Sequence, residues 1–397
     1  MNQNINFPLV AILLLATLSQ ATAGVRPGNA GSVKKVGDIV IYQDRQYYAA
    51  FPSLVVRPDG EILCAFRRAP DRRALWKAPG NTHTDANSYL VLVRSFDGGK
   101  SWTKEPELIS AHPLGGSQDP CMVQLRDGTI VCASYTWALI PPEGIDKLPL
   151  RTFHSPTYAF MGGYIVRSEN GGRTWSGPIV PMALPGNQTL DALGNPLPAY
   201  NRGAMIERRD GHLSWVVVRT DRTSPNLLSV HLIDSADKGK TWTYACPVAA
   251  DTTVSFNETS LIETRKGDLV AFIRTEDFGG KAAYARSIDG GKSFAKWRDA
   301  GFIGHPFHAL QLKDGRVFLV YGYRQPPFGI RAKLLNPDCT DIETTPEIVL
   351  RDDGGSGDIG YPWAALFPDG RVLVAYYFNI GDGTRYIAAT LVEIDPK

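Results

Sequence analysis

The sequence predicts an all-β protein, a six-bladed β-propeller whose N-terminal strand closes the last blade. Two interlocking repeats point there. An eight-residue turn occurs four times in order: Ser95-Phe-Asp-Gly-Gly-Lys-Ser-Trp102, Ser168-Glu-Asn-Gly-Gly-Arg-Thr-Trp175, Ser235-Ala-Asp-Lys-Gly-Lys-Thr-Trp242 and Ser287-Ile-Asp-Gly-Gly-Lys-Ser-Phe294. A second repeat sets a two-residue turn between alternating apolar runs, at Asp59-Gly60, Asp127-Gly128, Asp210-Gly211, Lys266-Gly267, Asp314-Gly315 and Asp369-Gly370.

Each element has a physical reason. Asp-Gly between alternating hydrophobics is a hairpin signal, so six such turns mean six hairpins. In the longer turn, Asp or Asn at the third place bonds back to its own loop, and the fifth-place Gly accepts positive φ. The closing aromatic packs between neighbouring sheets. Hairpin plus turn makes a four-stranded unit, and its repetition is a radial array of sheets. After Asp369-Gly370 only two further strands fit, over 371–379 and 384–394, so the last blade lacks its outer strand. The strand-like stretch Val36–Gln46 precedes the first hairpin and supplies it, removing an open edge.

Composition is consistent with this and excludes other classes. The chain has 397 residues, 43% hydrophobic and 21% charged, with 42 basic against 40 acidic side chains. That is globular, with no basic field to hold nucleic acid. Phe7 to Leu18 is apolar but too short to span a bilayer, and Ala21-Thr22-Ala23 offers a small-residue cleavage site. Residues 1–23 are therefore expected to be an export signal, with the propeller over 24–397 in a secreted or periplasmic protein. The stretch lacks Lys and Arg ahead of its apolar core, and a buried N-terminal strand is the alternative. The five cysteines, Cys64, Cys121, Cys132, Cys246 and Cys339, form no C-x-x-C pair. Buried thiols are expected; a Cys121–Cys132 bridge across a hairpin is the alternative.

Long insertions, over 69–87, 137–160 and 177–201, fall on the face where inner strands begin, opposite the turns. Long loops gathered on one face of a rigid scaffold usually carry function. The entrances to the inner strands there hold Asp119, Arg202, Glu258, His305 with His308, and Tyr361; only the first blade offers apolar residues, Ala50 and Phe51. These groups converge on one axis.

The eight-residue turns resemble the Asp-boxes of the sialidase superfamily, over nearly the whole mature chain. The resemblance implies roles. Asn257-Glu258-Thr-Ser-Leu-Ile followed by Ala-Phe-Ile-Arg274 is similar to the segment holding the catalytic Glu and a substrate-binding Arg. Tyr361, in Gly360-Tyr361-Pro-Trp, takes the place of the nucleophile. The pairing suits a sugar with a carboxylate on its anomeric carbon. A neutral phenol meets less repulsion there than a carboxylate, and Glu258 removes its proton. The acid/base of sialidases lies in the first insertion, where Asp85 is the candidate and His83 its rival.

The sequence departs from the family at one place. Sialidases hold the substrate carboxylate with three Arg, the first from the entrance to blade one. Here that segment is Ala49-Ala50-Phe51-Pro52-Ser53-Leu54, without Arg. Arg67, Arg68 and Arg202 are possible substitutes, and Arg324 is the blade-five candidate. Asp119 and His308 complete the expected substrate-binding set. His305 and His308 also form a metal-ligand pattern, but two His without a neighbouring carboxylate favour no metal, and no cofactor is implied.

Three functions follow. The first is an exo-acting, retaining glycosidase that releases a terminal anionic sugar from glycans by Tyr/Glu chemistry. The second is a uronic-acid glycosidase or polysaccharide lyase using His83, His308 or Tyr361 for proton transfer. The third is a glycan-binding propeller without turnover. In each the partner is a glycan and the protein is a monomer.

Overall fold

The computed structural model describes residues 33–72, 83–155, 157–223 and 226–395. The expected export signal and part of the first insertion lie outside them. Among the described residues, 24 strands form six antiparallel sheets of four. The inner strands are Tyr47–Val56, Gly116–Gln124, Ile206–Glu207, Ser255–Glu263, Phe307–Gln311 and Gly360–Leu366. The strand Val33–Tyr42 pairs antiparallel with Tyr386–Ile394, so the last sheet joins the two ends of the chain and the ring is closed as predicted.

Six apolar clusters lie among the described residues, one in each gap between neighbouring blades. Val55, Leu63 and Met122 join blades one and two; Phe66, Trp363 and Leu373 join blades one and six. Each sheet is thus covered on both faces. This is why central strands such as Val372–Phe378 are buried throughout rather than alternating.

The Asp-box turns share the hydrogen bonds that close the loop onto backbone amides. In the first, Asp97 Oδ1 accepts from the Ser101 amide at 2.9 Å and Ser95 Oγ accepts from the Gly99 amide at 2.9 Å. Gly99 has φ +85°, which few other residues tolerate. The closing aromatics Trp102, Trp175, Trp242 and Phe294 each pack against an inter-blade cluster.

All five cysteines are buried free thiols. The Cys121–Cys132 alternative fails because Cys121 lies opposite Ala133 and Cys132 opposite Met122. Adjacent positions on a strand point to opposite faces, so the two sulfurs are on different sides of the sheet.

Candidate active site

The inner strands aim their first residues by a shared backbone device. In blade one the pairing passes from Ala50↔Arg67 to Ser53↔Ala65, so Phe51 and Pro52 oppose a single residue. Asp119-Pro120 does the same in blade two, Asn257-Glu258 in blade four and Tyr361-Pro362 in blade six. These are β-bulges, which bend a strand and redirect its side chains. Phe51, Asp119 and Tyr361 have φ of 59°, 29° and 51°, a conformation non-glycine residues hold only where the surroundings fix it. Proline follows each of the three. It has no amide hydrogen to lose from the ladder, which suits it to a bulge.

The bulges bring the key residues to one cavity of about 240 Å³ at the entrance face. Tyr361 Oη donates to Glu258 Oε1 at 2.5 Å across the ring. Arg274, opposite the blade-four bulge, donates to Glu258 Oε2 at 2.7 Å and lies 3.4 Å from Tyr361 Oη. Burial raises the Tyr361 phenol well above its ordinary range, and the neighbouring Glu258 charge adds to this. Burial acts the same way on Glu258, but the Arg274 charge and the hydrogen bonds from Tyr361 and Arg274 outweigh it and hold that carboxyl below its usual value. The pair is therefore a neutral phenol donating to an ionised carboxylate.

The cavity lining includes a polar set, Asp119, Asn257, Glu258 and Glu276, and an aromatic wall, Trp137, Phe153, Phe160 and Tyr200. The aromatic wall comes from the second and third insertions. Trp137 and Phe160 stack at 4.7 Å, and Phe160 meets Tyr200 edge-on at 4.4 Å. Asp119 Oδ2 accepts from Tyr135 Oη at 2.8 Å. Burial, helped by the Glu258 charge, pushes its pKa up to about 6 against the pull of Arg202 and Tyr135.

The remaining candidates divide. Arg202 lines the cavity, but its guanidinium is tied down. It donates to the carbonyls of Pro52 and Tyr361, both at 3.1 Å, and so pins blades one and six to blade three. Arg324 lies 5.1 Å over the Tyr361 ring and donates to Ile359 O and Tyr377 Oη at 2.9 and 2.7 Å. Four others stand off the cavity. Arg67 is fully buried beneath Tyr48 and Phe51. His308 accepts from the Ala364 amide at Nδ1 and stacks on Trp363, between blades five and six. Asp85 is 2% exposed and receives Arg72 Nε and Nη2 at 2.6 and 3.1 Å. Two residues earlier, His83 does line the cavity. Arg68 stacks on Tyr47 at 3.5 Å.

Two residues that sequence reading passed over shape the site. Phe51 lines the cavity one residue after Ala50, the position of the absent Arg, and packs edge-on against Tyr361 at 4.7 Å and His83 at 5.2 Å. Asp358 sits three residues before Tyr361 and collects four side chains: Tyr48, Tyr377, Arg385 and His83. The Phe51-Pro52 dipeptide carried a signal for the first, since it matches Asp119-Pro120 and Tyr361-Pro362. Nothing in the sequence marks Asp358. Among the described residues no group of three or more His, Cys, Asp or Glu could hold a metal ion, and no helix is long and apolar enough to cross a membrane.

Comparison with known proteins agrees with this fold. The model of the BNR repeat-like domain matches residues 154–374. A curated sialidase of Micromonospora viridifaciens is 26% identical over 95% of this chain, which spans 58% of that protein's length. A protein of unknown function from Dyadobacter fermentans is 54% identical, with a TM-score of 0.90 over 92% of this chain and all of that one. The NanB sialidase of Streptococcus pneumoniae shares the fold at 14% identity, with a TM-score of 0.60 over 90% of this chain and 70% of that one. The chain belongs to the BNR repeat-like family, a member of the sialidase superfamily.

Proposed function

We propose that the protein is a retaining exo-glycosidase that releases a terminal acidic sugar, with Tyr361 as nucleophile and Glu258 as its base. The carrying observation is the 2.5 Å hydrogen bond from the buried Tyr361 phenol to the ionised Glu258, backed by Arg274. As Tyr361 Oη bonds to the anomeric carbon, its proton passes to Glu258; when water later displaces the tyrosine, Glu258 returns it. A neutral nucleophile has its advantage where the anomeric carbon bears a carboxylate. For that carboxylate the candidate partners are the guanidinium groups nearest the phenol, Arg274 beside its oxygen and Arg324 over its ring. Ala50 in place of a third favours an acidic sugar other than N-acetylneuraminic acid. The aromatic wall offers a stacking face for the rest of the glycan. The apolar segment before Gly24 favours an exported enzyme that meets this glycan outside the cytoplasm.

The test is a panel of nitrophenyl glycosides and acidic oligosaccharides given to the wild type, Tyr361→Phe and Glu258→Gln. Release of an acidic sugar, with kcat lowered about 10³-fold or more in both variants at unchanged melting temperature, supports the reading. An unsaturated, ultraviolet-absorbing product, or activity that survives Tyr361→Phe, refutes it. Binding of glycans without any turnover refutes it as well.

A further inference from the structure

The mechanism above leaves the glycosidic oxygen without a proton donor. The residue in the expected place, Asp85, has both carboxylate oxygens committed: Oδ2 to Arg72 Nε at 2.6 Å, and Oδ1 to Arg72 Nη2 at 3.1 Å and to the Asn87 amide at 2.8 Å. It is buried and does not line the cavity. The same loop presents His83 instead, whose side chain is 39% exposed and lines the cavity with Glu258 and Tyr361.

The orientation of His83 is set from behind. Its Nδ1 lies 3.3 Å from Asp358 Oδ1 and 3.1 Å from Tyr48 Oη. Asp358 is itself fixed, accepting from Tyr48 and Tyr377 hydroxyls and from Arg385 Nε, each within 2.9 Å. Burial would raise this carboxyl, but the hydrogen bond and charge of His83, the Arg385 charge and the Tyr48 hydroxyl outweigh it and hold Asp358 well below the usual range. A carboxylate at Nδ1 fixes the imidazole tautomer with its proton on that nitrogen and stabilises the imidazolium. That leaves Nε2 as the other ring nitrogen of a residue that lines the cavity. Across the cavity the His83 charge acts to lower the Asp119 carboxyl, and Phe51 packs against both the imidazole and the Tyr361 ring. Asp358 and Tyr361 share one short segment, clamped by the Arg324 bond to the Ile359 carbonyl. The partner of the proton donor and the nucleophile therefore stand on the same rigid support.

We propose that His83 and Asp358 form the proton-transfer pair of this site, with His83 as the catalytic acid/base and Asp358 as its positioning residue. The inference rests on the glycosidase reading and adds the step it lacks. In the first half-reaction His83 Nε2–H gives its proton to the glycosidic oxygen as the bond from that oxygen to the anomeric carbon breaks and Tyr361 Oη bonds to that carbon. The alcohol leaves neutral. In the second half-reaction water gives a proton to neutral His83 Nε2 as its oxygen bonds to the anomeric carbon, and Tyr361 departs with the proton held by Glu258. Every proton is returned, and the net change is hydrolysis.

Leaving-group dependence tests it. Nitrophenol departs without protonation, whereas methanol does not, and kcat/KM reports only the steps up to glycosyl transfer. The probes are nitrophenyl and methyl α-glycosides of N-acetylneuraminic acid and of glucuronic acid. His83→Ala should lower kcat/KM about 10³-fold for a methyl glycoside and less than about tenfold for its nitrophenyl counterpart. Asp358→Asn, which keeps shape and one acceptor oxygen, should show the same split at smaller size, at least about tenfold on the methyl glycoside, with the melting temperature held as a check on folding. Equal losses on both leaving groups, no loss on either, or the split appearing in Asp119→Asn or Asp85→Asn instead would overturn the pair while leaving Tyr361 and Glu258 in place. A wild type that turns over neither pair of probes, nor anything in the wider panel, would overturn the glycosidase reading and this inference together.

Discussion

Replacing Asp119 by Asn tests the electrostatics of the cavity without reference to any substrate. The carboxyl is 1% exposed, one oxygen accepts from Tyr135, and the other has no partner among the described residues. Burial is the main reason its pKa stands at about 6 rather than 3.8. At about 1.4 kcal/mol for each tenfold change, that difference is about 3 kcal/mol of folding free energy. The sign follows from the direction. A carboxyl whose folded-state pKa is raised holds its proton better folded than unfolded, so its contribution is fully present below about pH 3.8 and is lost as pH rises through about 6. Asn cannot ionise and carries no such loss. Guanidinium denaturation of both proteins at a series of pH values should therefore show Asp119→Asn gaining about 3 kcal/mol on the wild type between about pH 3.5 and about pH 7.5. A difference that is flat across that range would refute the reasoning. So would one of opposite sign, which would mean that Arg202 dominates and Asp119 is a stabilising ion-pair partner.

Three further outcomes follow from the packing. A Cβ at Gly203 would stand 1.8 Å from the Thr259 carbonyl oxygen, so Gly203→Ala must push blades three and four apart and should cost more than about 3 kcal/mol, read as a fall in melting temperature. Glu61 is 5% exposed and binds Arg57 and the buried Arg94; Glu61→Ala leaves Arg94 with Glu107 alone as carboxylate partner and should cost about 3 kcal/mol by denaturant titration. Since the cysteines are free thiols, a reductant should leave the melting temperature unmoved, and a thiol reagent should count five groups after denaturation.

The architecture was legible in the sequence because its signals are local. An Asp-box closes its hydrogen bonds within eight residues, as Ser95 to Trp102 does, and an Asp-Gly hairpin needs only its two flanking strands. Counting such units gave the number of blades, and the shortage of strands after Gly370 required one from the N-terminus. The entrances to the inner strands were legible too, since they stand at a fixed distance ahead of each hairpin. Tyr361 and Glu258 were found that way, together with their family resemblance.

What the tertiary structure alone decided is where each entrance side chain spends its hydrogen bonds. Tyr361 and Glu258 are 103 positions apart, His83 and Asp358 are 275, and Arg202 reaches carbonyls 150 and 159 positions away. Such pairs are set by how blades meet around the axis, which no local pattern encodes. A buried charge must find its partner wherever the fold provides one. Arg72 takes Asp85 out of the cavity, backbone carbonyls absorb Arg202, and an amide of blade six occupies His308. The same requirement turns Asp358, one unremarked Asp among many, into the support of His83.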